Sequence, residues 1–111
     1  MIDDGWRKTL QECIVYDLLF KALMADKEKI GGTDLKLRYG PTFEKLSLIA
    51  EKQHHLYRNE LGRLGCKIVS RQNQNGFYTV QCRVRGYIEE AVFSGELLKA
   101  ECEVRLLNLI G

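Results

Sequence analysis

The sequence lacks a long apolar run. Its most apolar stretch, CIVYDLLFKALMA, is 13 residues long and already carries Asp17 and Lys21, whereas a bilayer span needs roughly 20 apolar residues. It also lacks a charge of one sign. Seventeen basic and 15 acidic side chains leave a formal charge of +2, a balance that argues for neither a nucleic-acid nor a membrane partner. The opening MIDDGWRK begins acidic and has no apolar core followed by a small-residue cleavage site, so it is not a secretory signal. A cytoplasmic location is expected.

Cysteine is present without the spacing that gives it a role. Cys13, Cys66, Cys82 and Cys102 form no CxxC pair, and without a secretion signal they are expected to be reduced and structural. Three of them fall on apolar positions of expected strands, where a free thiol serves as a small hydrophobe. Catalytic signatures are missing too: G-x-S-x-G, H-E-x-x-H and G-x-G-x-x-G do not occur. His54 and His55 are adjacent on a helical stretch, so they point about 100° apart and cannot chelate one metal. Gly31-Gly32-Thr33 lacks the strand before it and the Lys-Ser/Thr after it that a phosphate loop requires; it reads as a helix stop and turn. No catalytic residue, metal ligand or cofactor is expected, and the chain does not read as an enzyme.

What is there suits one folded domain over residues 1–111. Hydrophobic residues make up 45% and charged ones 29%, enough to bury a core without metal or disulfides. Asp3 and Asp4 can cap a first helix over about 4–28. Within it Ile14, Val15, Tyr16, Leu18, Leu19, Phe20, Ala22, Leu23 and Met24 leave almost no polar face, with Asp17 and Lys21 four apart and able to pair. A helix apolar nearly all round must be covered on more than one side. A second copy of the chain is the expected cover, with Trp6, Ile14, Leu18 and Phe20 at a homodimer interface. Leu35 and Leu37 alternate with charged residues, which suggests a short edge strand. Gly40-Pro41 opens a second, amphipathic helix over about 41–64, with proline suited to the first helical position.

Beyond Gly65 the period changes to two, and a sheet is expected over about 66–109. In CKIVSRQNQNGFYTVQCRVRG, a three-residue loop Gln74-Asn75-Gly76 pairs Asn73 with Phe77. It sets Ile68 against Cys82, Ser70 against Val80 and Cys66 against Val84 on one apolar face. Lys67, Arg71, Arg83 and Arg85 then share the other face. A second loop, Phe93-Ser94-Gly95, leads into Leu98, Ala100, Cys102, Val104 and Leu106, which alternate with Lys99, Glu101, Glu103 and Arg105. ELLKAE favours a helix by propensity, but the strict alternation predicts a strand. That strand would pair Val84 with Val104 and place Glu103 opposite Arg85. Residues 87–92 are read as strand continuing past a bulge at Gly86, or as a short helix.

The expected fold is thus α+β, two long helices packed on one face of a three-stranded antiparallel meander in the order α-α-β-β-β. Its expected function is that of a small non-enzymatic regulatory or accessory factor, binding itself and an unidentified protein. The alternative rests on residues 56–88, which hold six basic side chains against one acidic. A basic hairpin could contact phosphates through Lys67, Arg71, Arg83 and Arg85, with Asn73 and Gln74 at its tip. Local neutralisation by Glu101 and Glu103 would weigh against it.

Overall fold

Helical periodicity from Trp6 onward becomes α1, Gly5–Ile30, and the amphipathic stripe that follows becomes α2, Leu35–Arg63. The computed structural model describes residues 5–30 and 35–110, and within them the side chains outside 26–41. The capping aspartates and the Gly31-Gly32-Thr33 turn lie outside the described residues. The edge strand expected at Leu35 and Leu37 is instead the first turn of α2. Pro41 therefore lies inside the helix rather than opening it. Helix α2 stops at Gly65, whose φ of +76° is a left-handed conformation that glycine takes without steric cost.

Three strands follow: β1, Cys66–Gln74; β2, Phe77–Val84; and β3, Tyr87–Ser94. They form an antiparallel meander in the order β1-β2-β3. Both connections are two-residue turns with two left-handed residues each, Asn75-Gly76 and Arg85-Gly86, the geometry that matches the twist of paired strands. The three-residue loop is corrected accordingly: Gln74 pairs with Phe77 and Asn73 with Tyr78. The base of the hairpin still has Ile68 against Cys82 and Cys66 against Val84, because a bulge between Ile68 and Ser70 absorbs one residue. Past that bulge the faces exchange. Ser70 meets Gln81, and Arg71 meets Val80 on the inner face.

The third strand is the other correction. Residues 87–94 pair with β2, Val84 against Tyr87 and Cys82 against Glu89. Leu98–Leu106 belongs to α3, Gly95–Ile110, so the order is α-α-β-β-β-α. The Ser94 hydroxyl accepts from the Leu97 amide at 3.3 Å, an N-cap, and Glu96 adds negative charge to the first turn. Helix propensity thus prevails at ELLKAE once a cap starts the helix.

The inner face of the sheet carries Val80, Cys82, Val84, Ala91 and Phe93, packed on Trp6, Leu10, Cys13, Ile14 and Val15 of α1, Leu61 of α2 and Leu98 of α3. The distal half of α1 packs Leu19 and Leu23 against Leu46 and Ala50 of α2, with Leu106 and Leu109 of α3 against the same cluster. Tyr16 stacks on Tyr57 with ring centres 5.7 Å apart. One chain therefore covers the apolar positions of α1 from Trp6 to Leu23 that are buried here, without a second copy.

Three charged contacts pin these layers. Arg7 reaches Glu89 at 3.6 Å and donates to the Glu90 carbonyl, tying α1 to β3. Arg105 makes a two-point contact with Glu12 and a further one with Glu101, tying α3 to α1. Asp17, nearly buried, accepts from Lys21 at 3.0 Å, the pair expected from sequence, and from Arg71 Nη1 at 2.8 Å. Burial pushes the Asp17 carboxyl up, but the hydrogen bonds of Lys21 and Arg71 and the charge of Lys21 outweigh it and hold it below its ordinary 3.8. A depressed carboxylate stabilises the fold above its unfolded pKa and loses that contribution as pH falls through the folded one. Asp17→Asn should cost about 1–3 kcal/mol at neutral pH. In urea titrations across pH, the gap between native and variant should hold down to the ordinary value and close below it.

Candidate functional site

A recess lies between α1, the C-terminal part of α2 and the start of β1. It is a cleft of about 730 Å³ lined by Cys13 of α1, by His54, Arg58, Leu61 and Gly62 of α2, by Gly65, and by Cys66 to Arg71 along β1. Its walls hold Arg58 and Arg71 and no acidic side chain, and Lys67 borders it from β1. The apolar part is Leu61, Cys66, Ile68 and Val69. Arg71 reaches this wall because the bulge at Val69 turned it inward, and Asp17 holds it there. Helix periodicity brings His54, Arg58, Leu61 and Gly62 to the same side of α2, three and four residues apart. β1 is an edge strand, and an edge presents backbone N–H groups to whatever lies beside it.

Cys13 and His54 form the one thiol–imidazole pair among the described residues. His54 Nδ1 lies 3.1 Å from the Cys13 carbonyl and 3.6 Å from its sulfur. A carbonyl only accepts, so Nδ1 carries the hydrogen and donates it there. That nitrogen is then unable to take a proton from the thiol. Burial meanwhile pushes the Cys13 thiol up to about 11, with Arg71 pulling weakly the other way. The other three cysteines are also free and also pushed up by burial, Cys66 to about 12. These are thiols in a core, with Cys102 donating to the Val15 carbonyl at 3.6 Å from a helix rather than from a strand. No group of histidine, cysteine and carboxylates suited to a metal occurs among the described residues, and the rings of His54 and His55 stand 5.5 Å apart and tilted.

The residues singled out by sequence are dispersed. Trp6 and Ile14 are core side chains, 3% and 0% exposed within one chain, so they present no surface to a second subunit. Leu18 and Phe20 are half-buried. Lys67 and Arg83 face each other on the outer face of the sheet, and Arg85 is exposed in the second turn. Arg71 is removed from that group by the bulge. Asn73 and Gln74 are exposed beside the first turn. Glu101 and Glu103 do not lie beside Arg83 and Arg85, since they sit on α3 and Arg83 is flanked by Ile88.

One surface was missed by sequence reasoning altogether. On α3, Leu98, Cys102, Leu106 and Leu109 face inward. Leu97, Ala100, Val104 and Leu107 form a second stripe at spacings of three and four, and all are exposed, Val104 by 51% and Leu107 by 68%. Ile110 extends the apolar surface at 64%. The outer face of the sheet also exposes Phe77, Ile88 and Val92, but Glu90 stands between the last two on β3.

Architecture defines the class here: a small α+β protein of two long helices, a meander and a closing helix. The chain belongs to the YhjD protein family, whose model matches residues 1–111. No curated protein and no solved structure matches it. No described helix is long and apolar enough to cross a membrane.

Alkylation tests the state of the thiols. With Cys13 near 11, iodoacetamide at mildly alkaline pH should leave it unmodified in the folded protein and modify it fully in denaturant, as read by peptide mass mapping. Rapid modification of folded Cys13 near neutral pH would identify an activated nucleophile instead.

Proposed function

We propose that this is a small cytoplasmic, non-enzymatic regulatory or accessory protein that works through protein–protein contact, and that it associates with itself through α3. The observation that carries the reading is the second apolar stripe of that helix. A helix apolar on two faces is stable in water when both are covered. One chain covers the inner face of α3 and leaves Leu97, Val104 and Leu107 exposed. The reasoning that looked for a partner at α1 therefore applies to α3, while α1 finds its cover at home.

A second copy is the partner that suits this stripe. Antiparallel packing of two α3 helices sets their dipoles head to tail. The flanks carry Lys99 between Glu96 and Glu103, with no block of like charge to keep two copies apart. Support for binding over catalysis comes from the Cys13–His54 pair, whose thiol is raised and whose imidazole proton is engaged elsewhere.

Phosphate contact by Lys67, Arg83 and Arg85 is the alternative. It gains from the displacement of Glu101 and Glu103 to α3 and loses Arg71 to Asp17. Steep salt-dependent binding of an oligonucleotide would favour it.

Sedimentation velocity decides the leading reading. The native chain should run as a dimer at micromolar concentration. Val104→Glu combined with Leu107→Glu should run as a monomer with unchanged helical circular dichroism, because both positions are exposed. A native chain that stays monomeric at that concentration removes the proposal.

A further inference from the structure

We infer that the cleft between α1, α2 and β1 is a binding site for a small organic anion: a phosphate or carboxylate head on an apolar body. This site is separate from α3 and independent of the association proposed there. The argument starts from charge. Arg58 and Arg71 line one recess with no carboxylate among its walls, and Lys67 borders it from β1 with its side chain on the outer face of the sheet. Asp17 neutralises part of Arg71 from behind, at 2.8 Å, without itself lining the cleft. No described carboxylate pairs with Arg58 or Lys67; the described ion pairs of this region are those of Arg63 with Glu60 and of Arg71 and Lys21 with Asp17. Cations gathered at one concave place repel each other, and an anion bound among them relieves that repulsion and gains from all of them.

The form of the recess adds the rest. About 730 Å³ falls within the range of pockets that enclose a small organic molecule and exceeds what a bare inorganic ion fills. Leu61, Ile68, Val69 and Cys66 supply an apolar wall beside the cationic one. The outward amides of edge strand β1 supply neutral donors. Arg71 is held in place by its bond to Asp17 before any ligand arrives, so less side-chain freedom is lost on binding. Gly62 lines the cleft from α2, and a side chain added there meets nothing within 4 Å. The helix thus leaves that volume open at the cost of its poorest former after proline.

Amide chemical-shift titrations of the full chain test this with three probes: phenyl phosphate, phenylacetate and benzyl alcohol. At least one of the two anions should give saturable shifts confined to Arg58, Gly62 and residues 66–71, and the pair distinguishes a phosphate from a carboxylate head. The neutral alcohol should bind at least tenfold more weakly. Arg58→Glu should weaken the anion at least tenfold, as should Gly62→Leu, which fills the recess without changing charge at a helical position with open space. Anions that bind no better than the alcohol overturn the assignment, and so do variants that bind like the native chain. Shifts centred on Arg83 and Arg85 overturn it too, since they would mark the outer sheet face as the anionic surface.

Discussion

The enclosure of α1 is the constraint on which the rest of the structure depends. Thirteen consecutive residues in it carry two charges, and a helix of that kind has no face to turn to water. The chain resolves this by wrapping. The sheet takes one side through Val80, Cys82 and Val84, α2 takes another through Leu46, Ala50 and Leu61, and α3 closes a third through Leu98 and Leu106. Burying such side chains is worth about 1.5–3 kcal/mol each. Asp17 is the buried exception, and Arg71 answers it. That answer depends on the bulge at Val69, which sends Arg71 to the inner face. The same rotation brings Arg71 to the cleft, so one irregularity in β1 both completes the core and builds a cationic wall.

Closing the third side of α1 creates a new exposed side. Helix α3 is held by Arg105 on Glu12 and by its inner leucines, and it turns Leu97, Val104 and Leu107 outward. The apolar demand is displaced from the first helix to the last. In a chain whose thiols are buried and raised, that displaced demand is the physical ground for reading the protein as one that acts by contact.

The same residues explain how much of this could be read from sequence. Leu98, Cys102 and Leu106 are one stripe at a spacing of four; Ala100 and Val104 belong to another on the opposite side. Two such stripes offset by two residues interleave into perfect alternation, which is why a helix with two apolar faces has the period of a strand. The period of two was genuine in β2, and it placed Ile68 against Cys82 and Cys66 against Val84 correctly. The Val69 bulge carries no local signature, so the turn and the face of Arg71 were misassigned together. The pairing of Asp17 with Lys21 was legible because it lies within one helix turn. The cleft was not, since His54, Lys67 and Cys13 come from three elements that only the packing of α1 brings together.

The central claim is that the outer stripe of α3 is covered by the same stripe of a second copy. A photoreactive amino acid in place of Ala100, at the middle of that stripe, tests it most directly. Irradiation at micromolar concentration should yield a species of twice the chain mass, with the cross-link mapped by mass spectrometry to residues 97–107 of the second copy. A product of single mass, or a doubled one whose cross-link maps away from α3, would contradict the account.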